Sequence, residues 1–101
     1  MKILFICNQG LNRSKTAAHL FRDQFETQSA GLYNDKPVTE QQLSWADTIV
    51  VMEERQRQEI ADRFPRIYLQ KRILVFGIPD IYSYNHPELI RRLKAEMLGP
   101  L

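Results

Sequence analysis

Short apolar runs alternate with amphipathic stretches along this chain, and that alternation constrains its fold more than any other feature. Lys2 to Ile6 is mostly apolar and stops at a polar loop containing Gly10, the pattern of a buried strand. Thr27 to Ala30, the strongly β-branched Thr48 to Met52, and Arg72 to Phe76 are further strand candidates. A helical pattern begins at Ser14, a good helix-start residue, and sets Ala17, Phe21 and Phe25 on one face with Leu20 beside them. Thr39 to Ala46 reads as a short helix capped by Thr39. Glu53 to Phe64 reads as another, with acidic residues in its first turn and Pro65 ending it. Asn85 or His86 can cap a last helix, with Pro87 and Glu88 in its first turn and Leu89, Leu93 and Met97 as its apolar stripe. Strands alternating with helices predict an α/β fold: a three-layer sandwich with a four-stranded parallel sheet and right-handed crossovers. Ligands in such sheets sit at the carboxyl ends of the strands, where strand order reverses. The loop after the first strand is a common place for that point.

At 101 residues the chain is expected to form a single domain over 1–101. Its formal charge is only +2, and the charges interleave, as in Glu53-Glu54-Arg55-Gln56-Arg57-Gln58-Glu59. That pattern reads as a solvated helix face, and the basic residues Arg63, Arg66, Lys71 and Arg72 as surface charge. A nucleic-acid partner is not expected. No run has the length of a membrane span, and Ile3 to Ile6 is too short for a signal-peptide core. A cytoplasmic protein with no membrane partner is therefore expected. Cys7 is the single cysteine, so no internal disulfide can form; it is either a small buried hydrophobe or a reactive thiol. His19, His86 and scattered carboxylates make no metal-ligand pattern, so neither metal nor cofactor is expected. Asp47, before the third strand, reads as structural.

The first strand-to-helix loop reads Cys7-Asn8-Gln9-Gly10-Leu11-Asn12-Arg13-Ser14. A loop wrapped at a helix N-terminus turns backbone N–H groups toward an anion. Gly10 allows a left-handed backbone where the loop must curl. Arg13 offers a planar fork that fits two phosphate oxygens at once. A helix N-terminus and a nearby cation also favour a thiolate, and a thiolate facing a phosphate ester can attack phosphorus. Ser14 can donate a hydrogen bond to that sulfur. A cysteine between strand and helix, with an arginine six residues on and a hydroxyl next, is a rare coincidence in a chain of ordinary composition.

With these residues the sequence resembles the low-molecular-weight protein tyrosine phosphatases, closest to a compact prokaryotic branch of about this length. The likeness covers nearly the whole chain through ILFICNQGLNRS, TAAHLFRD, SAG at Ser29 to Gly31, PVTEQQLSWAD, IVVMEERQRQEIADRFP and IPDIYSYNHPEL. It implies a flavodoxin-like fold and a two-step hydrolysis through phosphocysteine. It sets Cys7 as nucleophile, Arg13 as phosphate-binding arginine, Ser14 as supporting hydroxyl and Ser29 near a serine that buttresses the loop. The loop residues Asn8 to Ser14 would bind the phosphate, and inorganic phosphate or sulfate would occupy the same position. The family's acid lies in an Asp-Pro-aromatic stretch; the nearest match is Pro79-Asp80-Ile81-Tyr82, which makes Asp80 the candidate acid. Without the resemblance Asp80 reads as a turn residue after Pro79. Tyr82 and Tyr84 are candidates for the substrate rim, with packing into the core the alternative for one of them, and Tyr33 is a further rim candidate. The implied substrate is protein phosphotyrosine or a small phosphate ester.

The sequence also departs from the family. The proline precedes the aspartate. Gly10 replaces an asparagine that helps fix the loop, Asn12 replaces a common second cysteine, and Lys15 replaces a proline. Three other functions fit parts of the pattern. A phosphocysteine carrier domain has a similar cysteine loop but does not need Arg13 at this spacing. A non-catalytic phosphate or phosphoprotein binder does not need Cys7. An arsenate reductase needs several thiols, and one cysteine would serve it only with an external thiol.

Overall fold

Each of the apolar runs becomes a strand of one parallel sheet in the computed structural model, which describes residues 1–98. The strands are β1 (Lys2–Cys7), β2 (Glu26–Gly31), β3 (Thr48–Val51) and β4 (Arg72–Val75), in the order β2-β1-β3-β4. Ile3 to Ile6 and Ile49 to Val51 are completely buried, as expected for central strands covered on both faces. Cys7 ends β1 opposite Gly31, and Ile6 lies between Ala30 and Val51. Because β1 pairs with β2 on one side and β3 on the other, strand order reverses beside the carboxyl end of β1, where Cys7 sits.

The helices are α1 (Arg13–Leu20), α2 (Glu40–Trp45), α3 (Glu54–Arg63), α4 (Pro65–Gln70) and α5 (Pro87–Met97). The pleat of β1 divides the core. Ile3 and Phe5 face Ala17 of α1 and Leu89 and Leu93 of α5, with Phe21 packed in just beyond α1. Leu4 and Ile6 face Leu43 of α2, Ile60 of α3 and Ile67 of α4. The result is the three-layer sandwich that the alternation predicts.

Local signals differ from the sequence reading at two places. Helix α1 starts at Arg13 with Asn12 at its N-cap, so Ser14 lies inside the helix and its hydroxyl is free for the site. Pro65 ends α3 but also opens α4, because a proline costs no hydrogen bond at the first helical position. His86 caps α5, its Nδ1 accepting the Glu88 N–H at 3.1 Å, while Asn85 takes a positive φ of 62°. Thr39 caps α2 as its sequence suggests, in a reciprocal box with Gln42. Asp47 Oδ2 accepts the Lys2 N–H at 2.8 Å. Among the described residues no helix is long and apolar enough to cross a membrane.

Candidate active site

The site is built where β1 passes into α1. Cys7 is the last residue of β1 and is 3% exposed. The loop curls back over it at Gly10, whose φ is +72°. The Gly10 N–H donates to Cys7 Sγ at 3.3 Å, and Ser14 Oγ lies 3.1 Å from the same sulfur. Ser14 Oγ also reaches the Ala30 carbonyl at 3.4 Å. One hydroxyl proton thus has two acceptors in reach, and a rotation delivers it to a sulfur that gains charge.

The curl depends on two glycines meeting. A Cβ on Gly10 would fall 2.8 Å from the Gly31 nitrogen and 2.9 Å from the Ala30 carbonyl carbon. A Cβ on Gly31 would fall 2.6 Å from the Gln9 carbonyl carbon. The Leu32 and Tyr33 N–H groups then bind the Asn8 carbonyl at 3.0 and 2.9 Å, so the segment after β2 holds the loop from behind.

Arg13 is 1% exposed and sits in the first turn of α1. Its Nη1 donates to Glu53 Oε1 at 2.6 Å and to the Ile78 carbonyl at 2.7 Å. Its Nε and Nη2 are buried with no hydrogen-bond partner among the described residues. Those two groups form one edge of the guanidinium, the fork that matches two phosphate oxygens. Leaving buried cationic N–H groups unsatisfied is costly, so an anion is the ligand this edge suits. Asp80 Oδ1 lies 3.8 Å from Nε, on a side chain that is half exposed. The N–H groups at the start of α1 lack intrahelical acceptors, as at any helix start, and add to the anion-binding character.

The start of α3 ties the loop to the sheet. Gln56 is fully buried; its Oε1 accepts the Met52 and Glu53 N–H groups at 2.8 and 2.9 Å. Its Nε2 donates to Asn8 Oδ1 at 2.9 Å. Glu53 and Gln56 cap α3 reciprocally while Glu53 holds Arg13 and Gln56 holds Asn8. The interleaved charges predict a solvated helix face here, which describes Glu54 and Arg55 but not Gln56. Glu53 stands where a capping box usually has Ser or Thr, which hides this ordered start in the sequence.

Other predicted residues lie at different depths. Ser29 is half-buried in β2 opposite Phe5, and its side chain makes no hydrogen bond to the loop among the described residues. It lies two residues short of Gly31, about 6.6 Å back along the strand, so Ala30 and Gly31 make the contacts instead. Tyr82 packs against the core between β1 and α5, its ring 5.5 Å from that of His86 and its hydroxyl accepting from Arg92 Nη1 at 3.4 Å. It is therefore turned inward. Tyr84 is exposed, with Lys15 Nζ 5.6 Å from its ring centroid, which keeps it beside the first turn of α1. Tyr33 is exposed under the Arg63 guanidinium at 5.2 Å. Leu11, in the loop itself, and Ile81, next to Asp80, are also exposed.

No protein-family model matches the sequence, and no curated protein matches it. Solved structures match its fold over nearly the whole chain. SP-PTP, a low molecular weight protein tyrosine phosphatase from Streptococcus pyogenes, matches with a TM-score of 0.78 at 16% identity, over 96% of this chain and 88% of that one. The tyrosine phosphatase Wzb from Escherichia coli K30, in complex with phosphate, gives 0.74 at 20% identity over 94% and 91%. The YwlE arginine phosphatase from Geobacillus stearothermophilus gives 0.70 at 20% identity over 95% and 84%. Strand order, helix placement and these matches agree that this chain has the flavodoxin-like fold of the low-molecular-weight protein tyrosine phosphatases.

Proposed function

We propose that this chain is a cysteine-dependent phosphatase that hydrolyses phosphate monoesters through a phosphocysteine at Cys7. The observation that carries the reading is the buried Nε–Nη2 edge of Arg13, without a hydrogen-bond partner among the described residues, in the same loop as a sulfur hydrogen-bonded by Gly10 and within reach of Ser14. In the first step the Cys7 thiolate forms an S–P bond as the ester P–O bond breaks. The leaving oxygen takes a proton from Asp80. In the second step Asp80, now a carboxylate, takes a proton from water as the water oxygen attacks phosphorus. The S–P bond breaks, the thiolate is restored with the Ser14 hydroxyl turned toward it, and inorganic phosphate leaves. Arg13 holds two phosphoryl oxygens throughout, while Glu53 and the Ile78 carbonyl fix its plane.

Substrates would be phosphorylated proteins, phosphotyrosine among them, or small phosphate esters. Exposed Leu11, Ile81 and Tyr84 offer apolar and aromatic surface to a substrate ring. The carboxylate of Asp80 beside Arg13 favours hydrolysis over a phosphocysteine carrier, which must keep its phosphoryl group from water. A cytoplasmic location fits a lone thiol that must stay reduced.

The test is turnover of a phenyl phosphate ester by the wild type, Cys7→Ser and Asp80→Asn. Hydrolysis is expected in the wild type and none in Cys7→Ser. Asp80→Asn should lose about 10²–10⁴-fold, the usual contribution of a general acid. Stable phosphorylation of Cys7 by a donor protein without hydrolysis would support a carrier instead.

A further inference from the structure

We propose that Thr16 is a positioning residue that keeps the Asp80 segment in register with the phosphate loop, a role that rests on the phosphatase reading above. Thr16 is fully buried in α1, three residues beyond Arg13 and so on the same face of the helix. Its Oγ1 accepts the backbone N–H of Asn85 at 2.8 Å. Asn85 has a left-handed backbone, φ 62°, an uncommon conformation for a residue with a side chain. At the other end of the same segment, Arg13 Nη1 donates to the Ile78 carbonyl at 2.7 Å. Residues one helical turn apart on α1 therefore grip both ends of the stretch that carries Asp80.

That stretch has no helix or strand of its own. Inside it the Ile81 N–H bonds the Pro79 carbonyl at 3.0 Å, and the His86 N–H bonds the Ser83 carbonyl at 3.2 Å. From α5, Arg92 reaches the Gly77 carbonyl at 3.2 Å and the Tyr82 hydroxyl at 3.4 Å. These bonds shape the segment or tie it to α5. The bonds from Arg13 and Thr16 tie it to the helix that continues from the nucleophile loop. A general acid must meet the leaving oxygen within hydrogen-bond reach, and a misplacement of about 1 Å can cost on the order of 10²-fold. Because Tyr82 also packs the segment against the core, loss of the Thr16 bond loosens it without releasing it.

The test compares kcat/KM for 4-nitrophenyl phosphate, whose leaving group needs little protonation, with that for unsubstituted phenyl phosphate, whose leaving group needs more. Thr16→Val removes the hydroxyl at constant shape. Thr16→Ser and Thr16→Ala make the same comparison at a smaller size. Val and Ala variants are expected to lose about tenfold on phenyl phosphate and less than about twofold on the nitrophenyl ester, a fraction of a full general-acid contribution. The Ser variant should keep the wild-type ratio. Equal losses on both esters, no loss on either, or a Ser variant that behaves like Ala would overturn the proposal while leaving the phosphatase reading intact. No turnover of either ester by the wild type would sink the phosphatase reading and this role with it. A measurement on the wild type covers variants that fail to fold: the Asn85 amide should exchange slowly with solvent, and exchange at the unprotected rate would overturn the anchor.

Discussion

Arg13 Nη1 donates to Glu53 Oε1 at 2.6 Å, and this bond decides which edge of the guanidinium faces a ligand. With Nη1 committed to Glu53 and to the Ile78 carbonyl, the Nε–Nη2 edge is the one without a hydrogen-bond partner among the described residues. A lysine could answer Glu53 but offers no fork. Arg13→Lys is therefore expected to weaken phosphate or vanadate binding by about tenfold to a hundredfold, the loss of a charge-assisted bidentate contact. Calorimetric titration measures it, and unchanged affinity would count against the loop as the anion site.

Removing the countercharge should act on stability first. Glu53→Gln keeps an acceptor for the α3 cap but leaves half-exposed Asp80 as the remaining anionic partner of Arg13. Breaking a fully buried pair costs about 3–5 kcal/mol, and partial exposure of Glu53 reduces this to an expected loss of about 1–3 kcal/mol. Urea denaturation reads the loss directly. No change would mean that Asp80, 3.8 Å from Nε, already supplies the countercharge.

Gly10 has no room for a side chain where the loop curls against Ala30 and Gly31. In Gly10→Asn the new Cβ meets backbone at 2.8 and 2.9 Å in a loop with φ +72°. Strain of this kind costs about 1–3 kcal/mol, before any backbone shift needed to relieve the contacts. The variant should melt at lower temperature and bind phosphate more weakly. A gain in either property would show that the loop relaxes around a side chain at this position.

Away from the site, the Arg57 hydrogen bond holds the Glu54 carboxyl below the usual carboxylate range. A folded-state pKa below the unfolded one contributes stability that is complete above the ordinary carboxylate pKa and drains away as pH falls through the lowered value. Glu54→Gln is expected to lower the urea midpoint slightly at neutral pH, and the difference should vanish in acid. A difference that persists in acid would assign the effect to something other than the charge.

Much of this architecture is legible in the sequence because periodicity reports burial. Ile3 to Ile6 of β1 and Ile49 to Val51 of β3 are continuous apolar runs and lie fully buried, and Thr39 caps the helix its sequence announces. The Cys7 to Ser14 segment is legible for a different reason: each residue type has a local task, set by the strand before it and the helix after it. The residues that sequence reading misses act across the fold. Glu53 sits in a run of charges, and only the pairing of β3 with β1, which sets the turn after β3 beside the loop after β1, brings it to Arg13. Gln56 looks like one more polar residue on a solvated face until its amide is found buried against Asn8. Thr16 is an ordinary helix residue in sequence, and its partner Asn85 is far along the chain. Ser29 makes no hydrogen bond to the loop among the described residues, and Tyr82 takes the core packing that is the alternative for one of the two tyrosines, since a motif fixes neither depth along a strand nor which way a loop side chain turns.

The proposed hydrolysis turns on attack of the Cys7 sulfur on phosphorus. The direct measurement is acid quenching of the enzyme during turnover of a phenyl phosphate ester, followed by mass analysis of the peptide that contains Cys7. The expected result is one phosphoryl group on that peptide in the wild type and none on the protein with Cys7→Ser, which should also be inactive. Steady hydrolysis with Cys7 unmodified, or by Cys7→Ser at the wild-type rate, would contradict the account.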